Sequence, residues 1–171
     1  IELWCAPDTR HGFFVACRRE YGIRLRRQCT GDLGQRMNHA LNRTLADGRH
    51  AVLIGGDCVS LGMAELRAGF DLLAAGWDAV IGPAADGGYV LIGLRRRCPA
   101  LFRGIVWSTP AVLAATRRRF RRAGVDWAEL PPGWDVDTPA DLRRLRRNTR
   151  WYSAPPAVPA TRNPAATPPS A

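Results

Sequence analysis

The chain has 171 residues, 46% of them hydrophobic and 23% charged, which fits a single-core domain that buries roughly two thirds of its unfolded surface and excludes wholesale disorder. All 25 basic residues are arginine and, against 15 acidic ones, leave a net charge of +10, an excess that favours anionic partners. Five cysteines, an odd number with no CxxC pair and no histidine at zinc-finger spacing, exclude a disulfide framework and point to reduced, mostly buried thiols in a cytoplasmic protein.

Ile1 to Pro7 reads as a strand running into a turn, with no initiator Met and no lead-in, so the chain reads as starting mid-domain. Residues 1–15 lack the basic start and apolar run of a signal peptide, and no stretch approaches the roughly 20 apolar residues of a membrane span. A second strand-like run at 23–28 leads into Gln28-Cys29-Thr30-Gly31-Asp32-Leu33-Gly34-Gln35-Arg36, where a strand end passes through two glycines into a helix over 33–47. Glycines permit close backbone approach, and a helix start offers free N–H groups to an anion. Asp32 reads equally as the helix N-cap.

The run 50–55 is the most apolar strand and ends in Gly55-Gly56-Asp57, with Ser60 placed to cap a helix over 60–75. A carboxylate there suits Mg²⁺ or Mn²⁺, which take one or two carboxylates plus phosphate oxygens and water; the plainer alternative is a loop Asp satisfied by backbone N–H groups. Nothing nearby would lower the pKa of Cys58, so it is not a thiolate site. Strands at 78–82 and 89–94 flank Asp86-Gly87-Gly88, which local rules allow as an ordinary hairpin turn, although the glycine density places other backbone or a ligand close by. A helix over 109–123 and a strand at 125–130 follow.

In the last loop, Thr138 as N-cap, Pro139 at the first helical position and Asp141 at the third start a helix over 138–148. That assignment leaves Asp135 and Asp137 without a structural task. From about 153 onward Ala, Pro, Thr, Ser and Asn dominate, so 151–171 is expected to be a disordered Pro/Ala-rich tail behind a domain over 1–150. Strands that are apolar on both faces, alternating with helices, imply a mainly parallel sheet covered on both sides, and ligands of such folds sit beyond the carboxyl ends of the strands.

The ordered set GDLGQRM (31–37), GGDCVSL (55–61), GPAADGGYVLIGL (82–94), IVWST (105–109) and WDVDTPADL (134–142) resembles a bacterial family of GT-A-fold, nucleotide-diphospho-sugar-transferase-like proteins, over residues 1–148. That family is similar in outline to molybdenum-cofactor nucleotidylyltransferases and phospholactate guanylyltransferase. The resemblance implies a GT-A (Rossmann-like) three-layer α/β sandwich in which Asp57, joined by Asp135 or Asp137, holds the metal. It implies further that Gln28, Gly31, Asp32, Gly34 and Arg36 lie near the nucleotide, and that Asp86, Gly87, Gly88 and Tyr89 shape the acceptor side, with Asp86 the candidate base. Where the family carries Thr or Ser before the metal Asp and Pro two residues after it, this chain has Gly56 and Val59. The family's opening strand and phosphate loop have no counterpart.

The function expected from this is a metal-dependent transferase using a nucleoside diphosphate sugar or a nucleoside triphosphate, with the acceptor open. The alternative is a catalytically inactive, truncated remnant or interaction module of the same fold. RNA binding through the arginine runs at 95–97, 117–119, 121–122 and 143–150 ranks last, since only Phe120 and Trp151 interleave with them and a solvated helix face accounts for them equally.

Overall fold

Ala79-Val80-Ile81 and Val90-Leu91-Ile92 dictate the middle of the molecule, because a strand apolar on both faces has to be covered on both. The computed structural model describes residues 1–147 and 161–162. Their order is β1 (Glu2–Cys5), α1 (Gly12–Tyr21), β2 (Arg24–Arg27), α2 (Leu33–Leu45), β3 (Ala51–Ile54), α3 (Met63–Ala74), β4 (Ala79–Pro83), β5 (Tyr89–Leu94), a 3-10 turn (Pro99–Phe102), α4 (Val112–Ala123), β6 (Trp127–Glu129), α5 (Pro139–Arg147) and β7 (Thr161–Arg162).

The strands form two sheets: β1 pairs in parallel with β2, while the larger sheet runs β3-β5-β4-β6-β7. The alternation of side chains across the pleat gives the large sheet a core on each face. On one face Ala79, Ile81, Ile92 and Leu94 pack with Met37 and Leu41 of α2 and Leu113 and Phe120 of α4. On the other, Val80 and Leu91 pack with Leu73 of α3 and with Ala128 and Leu130. Gly93 lies where a side chain would crowd Leu73, Val52 and Val80 at 3.1–3.2 Å, so its lack of a side chain lets α3 close over the strand.

The sheet is not mainly parallel, contrary to the expectation from the sequence. β5 runs antiparallel to both β3 and β4, β7 runs antiparallel to β6, and only β4–β6 is a parallel pairing within it. The connection explains this: residues 84–88 join β4 to β5, and a parallel crossover needs about a dozen residues or more. β3, β4 and β6 nevertheless all point the same way, since β3 and β4 both oppose β5 and β6 follows β4. The loops that leave their carboxyl ends therefore share one end of the sheet.

Other local expectations fared differently. α1 went unforeseen; it buries none of its residues, starts with the His11 side chain accepting the Phe13 N–H, and ends on left-handed Gly22. Of the five thiols, all free, only Cys5 is buried. The tail expected to be disordered lies outside the described residues apart from β7. No helix among the described residues is long and apolar enough to cross a membrane.

Candidate functional site at the carboxyl ends of β3, β4 and β6

Three loops meet at this end, and their backbones are sewn together. β4 ends on Pro83, whose carbonyl accepts the Gly133 N–H at 2.8 Å, while Ala85 N–H donates to Gly133 O at 3.2 Å. The 84–88 turn is closed by Asp86, whose Oδ1 accepts the Gly88 N–H at 2.9 Å. It is clamped from outside as well, because Leu113 N–H donates to Gly87 O. A side chain on Gly87, at φ +90°, would meet the Pro110 carbonyl oxygen at 2.3 Å. The glycine density there reflects close approach of other backbone.

The loop after β3 carries Asp57 into solvent. Its only described side-chain contact is the weak one from the Cys58 thiol at 3.7 Å, while its backbone carbonyl accepts the Val59 N–H at 2.9 Å and the Val136 N–H at 3.3 Å. Ser60 does not cap α3 as its position in the sequence predicts; that helix starts at Gly62, whose N–H donates to the Glu65 carboxylate. The Ser60 hydroxyl instead bonds both ways with Trp134, donating to its carbonyl at 2.7 Å and accepting from its N–H at 2.6 Å. The helix end was misplaced because Glu65, reaching back to Gly62, offers the helix a better start two residues later.

The loop after β6 places Asp135 half-buried and Asp137 exposed. Its exit is as expected, with Thr138 and Asp141 bonded reciprocally at the start of α5, and the Arg144 guanidinium lies 4.1 Å from the Trp134 ring centre. Burial first, and then the charges of Asp137, Asp86 and Asp57, raise the pKa of Asp135. The charges of Asp57, Asp86 and Asp137 thus all bear on Asp135, a field that favours a proton or a cation there. The Cys58 thiol is pushed up to about 12 by burial and by Asp57 and Asp135, so it is no thiolate, in keeping with its sequence context.

The fourth predicted segment sits beside these loops. The N-terminal half of α2 reaches the start of β5, where the Tyr89 hydroxyl meets Met37 Sδ at 3.8 Å. Asp32 is the N-cap in a full capping box with Gln35, and Arg36 bonds to Gln28 Oε1 and to the Asp32 carbonyl. Gly34 backs onto the Trp107 indole so closely that a Cβ would lie 2.5 Å from the ring, and the Trp107 Nε1 is buried without a partner among the described residues. Tyr89 turns its ring into the core between α2 and α4, and burial raises its pKa. Its side chain is therefore structural, and only the turn preceding it faces the site.

Carboxylates fit a hard divalent cation, which needs one or two of them with ligand oxygens and water completing the shell. Among the described residues no three His, Cys, Asp or Glu side chains are close enough together to hold a metal ion by themselves, so the fit is to such a one- or two-carboxylate site. Residues 1–109 match the family described as "Uncharacterized protein conserved in bacteria (DUF2064)". The chain is also similar to a crystal structure of a "putative nucleotide-diphospho-sugar transferase" from Desulfovibrio desulfuricans G20, at 34% identity and a TM-score of 0.76. That likeness takes in 86% of this chain, which spans 66% of the length of the other. No curated protein matches the chain.

Proposed function

We propose, from the premise that the chain belongs to the DUF2064 family of proteins conserved in bacteria, that it is a metal-dependent transferase of the cytoplasm that takes its donor as a nucleoside diphosphate sugar. Glycosyl transfer is favoured over nucleotidyl transfer from a nucleoside triphosphate because the similar crystal structure bears the name of a nucleotide-diphospho-sugar transferase. The observation that carries the reading is that Asp57, Asp86, Asp135 and Asp137 stand on loops that leave one end of the sheet and are joined by backbone hydrogen bonds, the other three contributing to the raised pKa of Asp135.

Asp57, with Asp135 or Asp137, would hold Mg²⁺ or Mn²⁺, which would neutralise charge on the leaving diphosphate. Asp86 spends Oδ1 on its own turn and leaves Oδ2 to take the proton of an acceptor hydroxyl. Gly87 and Gly88 would shape the acceptor side through their backbone, Gly87 letting the turn close against Pro110 and α4. Gln28, Gly31, Asp32 and Arg36 would line the nucleotide side, held by the Gln28–Arg36 side-chain bond and the Asp32 cap, while Gly34 lies behind them against Trp107 and would act only through the backbone.

Calorimetry with a panel of nucleotides and nucleotide sugars, with and without Mg²⁺, tests the reading on this chain and on a version extended upstream. Mg²⁺-dependent binding that vanishes in Asp57→Ala is the expected result; affinity unchanged by that substitution would remove Asp57 as a ligand. Absence of binding by both versions would leave the inactive-module reading in place.

A further inference from the structure

We infer that Ser60 is a positioning residue that fixes the spacing of Asp57 and Asp135, an inference that rests on the reading of these carboxylates as a shared cation site. Ser60 follows Asp57 by three residues, and its partner Trp134 immediately precedes Asp135. The hydroxyl makes two short bonds to the same residue, 2.7 Å to the carbonyl and 2.6 Å from the N–H. Only a group that is donor and acceptor at once can fill both roles. A second stitch, Val136 N–H to the Asp57 carbonyl at 3.3 Å, lies on the far side of Asp135, so Asp135 stands between two anchored backbone positions and Asp57 is itself one of the anchors on the facing loop.

The surroundings are shaped for this contact. A Cβ on Gly133 would stand 2.6 Å from Ser60 Oγ and 3.0 Å from Val90 Cγ2, so the hydroxyl reaches the Trp134 backbone only because glycine precedes it. The helix behind does not need Ser60, as Gly62 and Glu65 already start it. Neutral hydrogen bonds join the two loops on either side of Asp135, the Ser60–Trp134 pair before it and the Val136 N–H to Asp57 carbonyl bond after it. Groups that orient metal ligands without touching the metal typically change affinity by about 10–100-fold when removed.

The test compares Ser60→Ala and Ser60→Thr with the unaltered chain in two measurements. Amide hydrogen exchange needs no metal: Ser60→Ala is expected to speed exchange at Trp134 and also at Val136, whose own partner is untouched, while Leu66, bonded to the Gly62 carbonyl, keeps its protection. Mn²⁺ titration is expected to show affinity falling about tenfold or more in Ser60→Ala and recovering in Ser60→Thr, which keeps the hydroxyl. Unchanged exchange at Val136, or unchanged Mn²⁺ affinity in Ser60→Ala, overturns the inference. If the unaltered chain binds no Mn²⁺, the proposed function fails, and exchange at Val136 alone then decides for or against the clamp.

Discussion

The five-stranded sheet and the β1–α1–β2 unit bury very different shares of their residues. In β4 every residue is buried and in β5 all but the first, whereas α1 buries none and β1 only Cys5. Apolar burial is the main favourable term in folding, so the large sheet is the platform and the N-terminal unit a lightly attached annex. The carboxylates of the candidate site hang from the platform, while Gln28 comes from the annex and Gly31 to Arg36 from the segment that joins the two. The loops proposed to hold a cation thus rest on far more buried structure than the segment proposed to lie near a nucleotide.

The largest effect that would sharpen this contrast is expected for Phe120→Ala. Phe120 is fully buried and stacks 5.1 Å from Trp127; its truncation should cost about 3–5 kcal/mol in urea denaturation. Gly87→Ala comes next, at about 1–3 kcal/mol, because the added methyl meets a backbone carbonyl that has no rotamer to escape to; the same variant should weaken acceptor use by tilting the Asp86 turn away from α4.

Asp78 supplies an intermediate case with a pH signature. Burial would raise its pKa, but the hydrogen bonds and charges of Arg96 and Arg95 outweigh burial and hold it below the ordinary range. A carboxyl lowered on folding contributes stability that is complete above its unfolded pKa and disappears as pH falls through the folded value. Asp78→Asn should therefore cost about 1–2 kcal/mol at neutral pH, the exposure of both guanidiniums limiting the loss, and the difference from the unaltered chain should close on acidification below the ordinary Asp range in denaturation series. The smallest effect is expected in the annex: Phe13, 62% exposed, should tolerate alanine within about 0.5 kcal/mol. A loss at Phe13 comparable to that at Phe120 would break the comparison.

Much of this was legible in the sequence, for identifiable reasons. The six strand-like runs and four helices fall where β1 to β6 and α2 to α5 stand, in most cases because burial leaves periodic apolar residues; α5, which buries none, was legible from Thr138, Pro139 and Asp141 at its start. α1 was missed because Phe13, Phe14 and Val15 come bunched at its start and cover no core, although Gly22 and the arginines of its last turn are ordinary helix-end signals. Strand direction was misjudged because apolar runs record burial and not polarity; the five residues between β4 and β5 held the information. At the site, the gathering of Asp57, Asp86 and Asp135 could be anticipated from strand ends. Ser60 could not, since its partner lies 74 residues away and no local rule links them.

The short turn between β4 and β5 has a kinetic side. A hairpin forms in about 1–10 μs, and the short loop between β4 and β5 costs less closure entropy than the longer ones that bring β3 to β5 or β6 to β4. The segment 79–94 is the most local pairing of the large sheet, with β3 and β6 on its two flanks. Asp86 sits in the turn of that local pairing, whereas the positions of Asp57 and Asp135 depend on pairings between strands more distant in sequence.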